Sequence, residues 1–441
     1  MRISTSQIYD AGSLNIQRNQ AALFKLQNQL STGRRVLTPE DDPVAAAQAL
    51  LVTQAKEMNT QQTTNQGTAK SQLGIVDSQL SSLVDLIQNV RERVIQAGNG
   101  SLSNADRQSI ATELESRFSE LIGIANAQNG SGDYLFSGYQ GATKPFAIDA
   151  SQSAVAYYGD DGERLLQVSS SRTMPVNVAG SDVFMDVKQG NGTFVVKTGN
   201  KVDATGVPVI DPVTLKPVIN QGSATADSGS VRDLQKWQQA VNALGGSSAK
   251  IEVRFSVDVT TGATTYALFN GSGVSAPALG ISGDYVSGQA IPLTSTTPPA
   301  AQFVVQGAPK DGDTFQVAPS TNQSLFKTMQ SLIGILKTPI GTSTFTNSEY
   351  SNALGQQLVN LDRALDNVST VQSSVGTRMG ELESLADAAS DLNLQYQTTL
   401  SDLQDLDYAE AISNFTMQQT YLEAAQKSFA QISGLSLFNY L

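Results

Sequence analysis

From Leu73 the apolar residues fall at Leu73, Val76, Leu80, Leu83, Ile87, Val90 and Val94, a 3-4-3-4-3-4 spacing that places all seven on one seam of a helix. Such a stripe, about 33 Å long at 1.5 Å per residue, has the pattern of a coiled coil. A second stripe runs through Leu358, Leu361, Leu365, Val368, Val375, Met379, Leu382, Leu385, Ala389, Leu392, Tyr396 and Leu403, over about 69 Å. Gly376 and Gly380 lie inside it without breaking its period. A narrow seam cannot hold a lone helix in water, because ordering entropy outweighs what one stripe returns unless that stripe is buried. The chain must therefore pair its helices.

Shorter segments extend the theme. Ile110, Leu114, Phe118, Leu121 and Ala125 predict a helix between Asn104 and Gln128, opened by the capping sequence Ser103-Asn104-Ala105-Asp106 and closed by the loop NGSGD. Ile16, Leu23, Leu26 and Leu30 form a weaker stripe near the start, and Ile412, Phe415, Leu422, Ala425, Phe429 and Ile432 another near the end. The economical arrangement pairs the two flanks, so that the chain runs out along a bundle and returns, with both termini at one end of a rod. The exteriors of the terminal stripes are rich in Gln, Asn, Ser and Thr, which suits packing against copies or partners without like-charge repulsion.

Between the flanks the composition changes. Of 14 prolines, 11 lie in residues 141–320, a zone whose only glutamates are Glu163 and Glu252. Glycine-rich turns there separate β-branched and aromatic runs: VAYYGDDGERLLQV, GTFVVKTG, KIEVRFSVDVTTGATTYALF and AQFVVQGAPKDGDTFQV. These read as hairpin strands, interrupted by one helical pattern, VRDLQKWQQAVNAL, which carries Trp237. The expected class is α+β, an elongated helical bundle or coiled coil of paired flanks with a central β-rich outer domain. Residues 1–42 would pair with 401–441, and 43–140 with 321–400 as a rod. Residues 141–320 would be the exposed insertion, with 141–180 either a β-hairpin extension of the rod or part of the outer domain.

The chain has no histidine and no cysteine, which removes the usual general base, the thiolate nucleophile and the zinc sites built on either. With 28 Lys and Arg against 40 Asp and Glu, net −12, it lacks the basic footprint that grips nucleic acid. No run of about 18 apolar residues would cross a membrane, and MRISTSQIYDAGSLNIQRNQ does not look like a cleaved secretory signal. Adjacent carboxylates occur at Asp41-Asp42 and Asp160-Asp161, and a third acidic segment, Asp311-Gly312-Asp313-Thr314, has a faint calcium-loop look. Asp41-Asp42, between prolines in TPEDDP, suits a turn that opens a helix whose first turn favours negative charge. The second pair precedes Gly162 in what reads as a hairpin turn, and the third lacks the remaining ligands of a calcium loop. No phosphate-loop or dinucleotide fingerprint is present, and a serine-lysine pair would be invisible in sequence. The residue pattern points to no enzyme, no cofactor and no metal.

The run LSTGRRVLTPEDDP at residues 30–43 resembles the N-terminal signature of the bacterial flagellin family. The opening MRIST, YLFSGYQ at 134–140 and the ending DLDYAEAISNFTMQQTYLEAAQKSFAQISGLSLFNYL are most similar to the members that join hook to filament. This resemblance covers both flanks, about half the chain; the central zone matches no motif. It implies export unfolded through the flagellar type III apparatus, extracellular assembly without bond chemistry, and a ring of copies between the first hook-associated protein and flagellin. It also implies a dedicated export chaperone on the C-terminal helix. Expected assembly residues are Leu23, Leu26, Leu30, Asp41, Asp42 and Pro43 at one end, with Ile412, Phe415, Leu422, Phe429, Leu437 and Phe438 at the other. The alternatives are a filament flagellin, a needle or tip protein of an injection apparatus, and a secreted enzyme or adhesin. That last reading requires two carboxylates roughly 5–9.5 Å apart in a cleft of the middle domain.

Overall fold

The structure, a computed structural model of the full chain, describes residues 5–149, 154–273, 276–341 and 345–434. Among the described residues, seven α-helices carry the flanks and one interruption of the middle: α1 (Thr5–Thr32), α2 (Pro43–Ala97), α3 (Asn104–Ala125), α4 (Leu234–Ala243), α5 (Leu325–Lys337), α6 (Asn347–Gln404) and α7 (Tyr408–Gly434). Short strands lie between α3 and α5, so the class is α+β. Two compact units divide the chain.

One unit comprises Met1–Thr68, Gln167–Arg172 and Leu382–Leu441. In it α1 and α7 run antiparallel, as three contacts show. The Tyr9 and Phe429 rings meet edge to face at 5.7 Å, the Gln418 side-chain amide donates to Asn19 Oδ1 at 3.2 Å, and the Leu406 amide donates to the Gly33 carbonyl at 3.0 Å. Below the pair, Asn59 of α2 is buried and donates to the Ala389 carbonyl of α6 at 2.7 Å. Gln66, also buried, donates to the Val168 carbonyl at 2.7 Å. The α2 face here is built from Ala45, Ala49, Asn59 and Gln66, small and polar residues that bury less apolar area than leucines would.

The other unit comprises Ala69–Leu166 and Thr173–Glu381. All seven residues of the first stripe, Leu73 to Val94, are buried to 1% exposure or less, and Leu361, Val368 and Val375 of α6 are buried too. Polar links fix their register: Arg91 pairs with Asp362 at 2.7 Å, and Gln372 donates to Ser81 at 2.9 Å and Asp77 at 3.1 Å. The capping box expected before α3 is present, with Ser103 and Asp106 each accepting from the other's backbone amide. Helix α5 was not singled out by the sequence reading, although Ser324 caps it and Leu325, Met329, Leu332 and Leu336 are buried along it. Its ring Phe326 joins Phe136, Phe146 and Phe184 in a cluster with centroids 5.1–5.7 Å apart.

The middle zone forms a five-stranded sheet in the order 278–284, 264–270, 251–257, 314–319 and 194–198. A second sheet holds 290–292, 301–306 and 225–226, with 230–231 also on 301–306. Phe194, Phe255, Leu268, Phe303 and Phe315 fill one core with Trp237 of α4, whose indole sits 5.2 Å from the Phe194 ring. The expected hairpin 251–257/264–270 is present in continuous antiparallel register. Two other expected hairpins are not. Strand 301–306 pairs in the second sheet while 314–319 pairs with 251–257 and 194–198, and 155–157 pairs with 146–148 while 165–169 pairs with 172–175. In both cases an aspartate diverts the linking loop. Asp313 Oδ1 and Oδ2 accept from the amides of Gln221, Gly222 and Lys310, each at 2.8 Å. Asp160 Oδ1 accepts from Tyr139 at 2.8 Å and Gly162 at 2.9 Å.

Candidate assembly surface of the terminal helices

The seam of α1 consists of Tyr9, Gly12, Ile16, Asn19, Leu23, Leu26 and Leu30, all partly buried and spaced 3-4-3-4-3-4. On α7 it consists of Ala411, Phe415, Gln418, Leu422, Ala425 and Phe429. The structure thus brings Leu23, Leu26, Leu30, Phe415, Leu422 and Phe429 onto one interface. Gly12 was not singled out in the sequence: a Cβ there would lie 2.6 Å from the Phe429 ring, so the glycine admits that ring. Asn19 and Gln418 also escaped an apolar pattern, yet their hydrogen bond fixes the register of the pair, as a polar pair does in a coiled coil.

Ile412, placed on the α7 stripe by sequence, points away from the seam and is 54% exposed; Ala411 takes its place. Likewise Leu392 of α6 lies outside its seam, at 42% exposure. The stripe drifts there because a helix advances 3.6 residues per turn while the apolar residues hold no strict heptad. Leu437 and Phe438, and the side chain of Ile432, lie outside the described residues. Leu14 and Phe24 on α1, Val44, Leu50 and Leu51 on α2, and Tyr408, Ile412 and Tyr421 on α7 are all at least half exposed.

Asp41, Asp42 and Pro43 build the corner between α1 and α2. Asp41 accepts from Lys25 Nζ at 2.5 Å and from the amides of Leu37 and Thr38 at 2.9 Å. The Lys25 ammonium, and then the Thr38 amide, hold its carboxyl down at about 2. Asp42 caps α2 by accepting from the Ala45 amide at 3.0 Å, and pairs with Arg35 at 3.2 Å. That amide first, and Arg35 second, lower its carboxyl too. Pro43 opens α2 at the position where its missing N–H costs nothing. Arg35 ties the corner to the far end of the chain, donating to the Leu403 carbonyl at 3.0 Å, while its amide donates to Gln404 at 2.7 Å. The paired aspartates therefore hold helix ends, the turn role their sequence context indicated.

A pH dependence follows. Because the folded Asp41 carboxyl lies below its ordinary value near 4, its contribution is complete above that value and is lost as pH falls toward 2. Lys25 is half exposed, so solvent screening limits the effect to about 1 kcal/mol. Hydrogen-exchange protection of the Leu37 and Thr38 amides should fall several-fold between pH 4 and 2, and Asp41→Asn should reproduce that loss at pH 7. Unchanged protection in the variant would contradict the assignment.

The N-terminal helical region model of bacterial flagellin matches residues 3–141, and the C-terminal helical region model matches residues 358–441, together about half of the chain. Flagellar hook-associated protein 3 of Escherichia coli (strain K12) is 28% identical over 438 residues, and that of Salmonella typhimurium 26%, each alignment covering 99% of both chains. The crystal structure of the flagellar junction protein FlgL from Legionella pneumophila superposes with a TM-score of 0.64 at 29% identity, covering 81% of this chain and all of that one. Helical seams at both ends, the corner at Asp41-Asp42-Pro43 and these likenesses agree: the chain belongs to the bacterial flagellin family, a family of structural flagellar proteins rather than enzymes.

Proposed function

We propose that this protein is a structural subunit of the bacterial flagellum, placed at the junction between hook and filament. The observation that carries this reading is the incomplete burial of the terminal helices. The α1–α7 seam is only partly covered within the chain, and large apolar residues such as Phe24, Ile412 and Tyr421 face outward. Each such side chain gains roughly 1.5–3 kcal/mol when buried, before ordering costs. Neighbouring subunits supply that burial, so ordering of the terminal segments is coupled to assembly.

In this reading copies form a ring on the extracellular flagellum, above the first hook-associated protein and below flagellin. Residues 1–42 with 401–441 line the inner tube, residues 43–140 with 321–400 form the surrounding rod, and residues 141–320 face outward. An export chaperone holds the C-terminal helix before secretion. Leu23, Leu26, Leu30, Phe415, Leu422 and Phe429 hold the helix pair, Asp41, Asp42 and Pro43 set its corner, and Ile412, Leu437 and Phe438 pack between subunits. Full-length likeness to hook-associated protein 3, running through the middle zone that the family models leave out, favours a junction subunit over a filament flagellin.

Deleting the gene in its own bacterium tests the reading. Electron microscopy should show hooks without filaments, with unpolymerised flagellin in the medium. Normal filaments and swimming would refute it, and thousands of copies per flagellum would identify a filament subunit instead.

A further inference from the structure

Charge is distributed unevenly between the two chain ends. Residues 1–35 carry Arg2, Arg18, Lys25, Arg34 and Arg35 against Asp10 alone. Between Arg378 and Lys427 there is no Lys or Arg, while Glu381, Glu383, Asp387, Asp391, Asp402, Asp405, Asp407, Glu410 and Glu423 all fall there. Glu381 apart, opposite charges are thus gathered on different segments of one unit.

The exposed faces make the pattern specific. On α1, Leu14, Arg18, Ala21 and Lys25 are exposed and spaced 4-3-4, so they share one helical face outside the α1–α7 seam. On α6, Glu383, Asp387, Asp391, Leu394, Thr398 and Asp402 are exposed and spaced 4-4-3-4-4, again on one face. Leu14 is 50% exposed and Leu394 65%. Among the described residues, no ion partner in the chain engages Arg18, Asp387 or Asp391. Lys25 already meets Asp41, but an ammonium has three donors.

We propose that the α1 face of one copy docks antiparallel on the α6 face of a second copy of this chain. This rests on the assembly reading above and names its lateral contact. Setting Leu14 against Leu394 brings Arg18 opposite Asp391, Ala21 opposite Asp387 and Lys25 opposite Glu383. Leu14 and Lys25, like Glu383 and Leu394, stand 11 residues apart, or about 16 Å along the helix. The contact joins unlike surfaces, so it propagates head to tail and closes into a ring when the rotation allows. Complementary charge sets direction and register, and the two leucines supply the apolar centre.

The absence of native cysteine makes a clean test. Cells lacking the native gene should co-express full-length Ala21→Cys and Asp387→Cys chains, and their flagella should be sheared off and oxidised. The expected result is a disulfide-linked dimer of this protein from the mixture and none from either variant alone. Filaments that assemble without such a dimer, or cysteines that link to a different flagellar protein, would overturn the proposal. Charge reversal decides independently should the cysteine variants fail to assemble. Asp391→Lys should reduce the fraction of filamented cells at least tenfold, and adding Arg18→Glu should restore it. Normal filaments with Asp391→Lys alone, or no recovery in the double variant, would count against the contact. If the gene deletion itself left filaments intact, the junction reading would fall; a harmless reversal beside a filamentless deletion removes only the lateral contact.

Discussion

Removal of residues 405–441 is expected to abolish filament assembly while leaving a folded, soluble protein. The deletion takes away all of α7 and with it the surface that covers Leu23, Leu26 and Leu30 of α1. An isolated 28-residue helix with one narrow stripe does not repay its ordering entropy in water, so α1 should melt with it. The unit from Ala69 to Leu166 and Thr173 to Glu381 keeps its own core, including the whole Leu73–Val94 stripe. Circular dichroism should show helix lost from both ends, and fluorescence of the single Trp237, buried against Phe194, should be unchanged. Cells that built normal filaments from the truncated chain would sink the assembly role of the C-terminal helix.

The second large effect concerns Asp313, which is fully buried. Its two oxygens satisfy three backbone amides from separate stretches, at Gln221, Gly222 and Lys310. Asp313→Ala leaves three donors without an acceptor, the Gly222 amide in a buried bond and the Gln221 and Lys310 amides in partly buried ones, and an orphaned buried group costs about 1–3 kcal/mol. A destabilisation of about 2–4 kcal/mol is expected, read as an earlier urea transition in Trp237 fluorescence. Asp203→Ala supplies the control, because Asp203 accepts only within its own exposed turn, and should cost less than about 1 kcal/mol. Equal effects from the two would show that the buried clamp does not hold the outer domain together.

These cases separate what was legible in the sequence from what was not. The Leu73–Val94 stripe was readable because every seam position is apolar, and all seven are buried. The terminal seams were readable only in part, since Gly12, Asn19 and Gln418 serve by being small or by bonding to each other, which no hydrophobic count detects. Ile412 was misplaced for the converse reason: it is apolar yet faces outward. In the middle zone the strands could be found from β-branched runs, but their partners could not. Adjacent strands there belong to different sheets because Asp160 and Asp313 bind amides of loops far away in sequence, and a polar residue's distant partner leaves no local periodicity to read.

The backbone staple beside Asp41-Asp42 has a consequence for the order of folding. Gly33 and Arg35 bond to Leu406 and Gln404, so the first and last helices close a loop of some 370 residues. Closure entropy grows with loop length, and contacts of such sequence separation are the slow ones in folding. The helices and sheets of the intervening chain form from nearer partners and shorten the effective loop before the staple closes. The α1–α7 pair is therefore expected to close last. The staple between the first and last helices is expected to be among the slowest contacts of the chain to form.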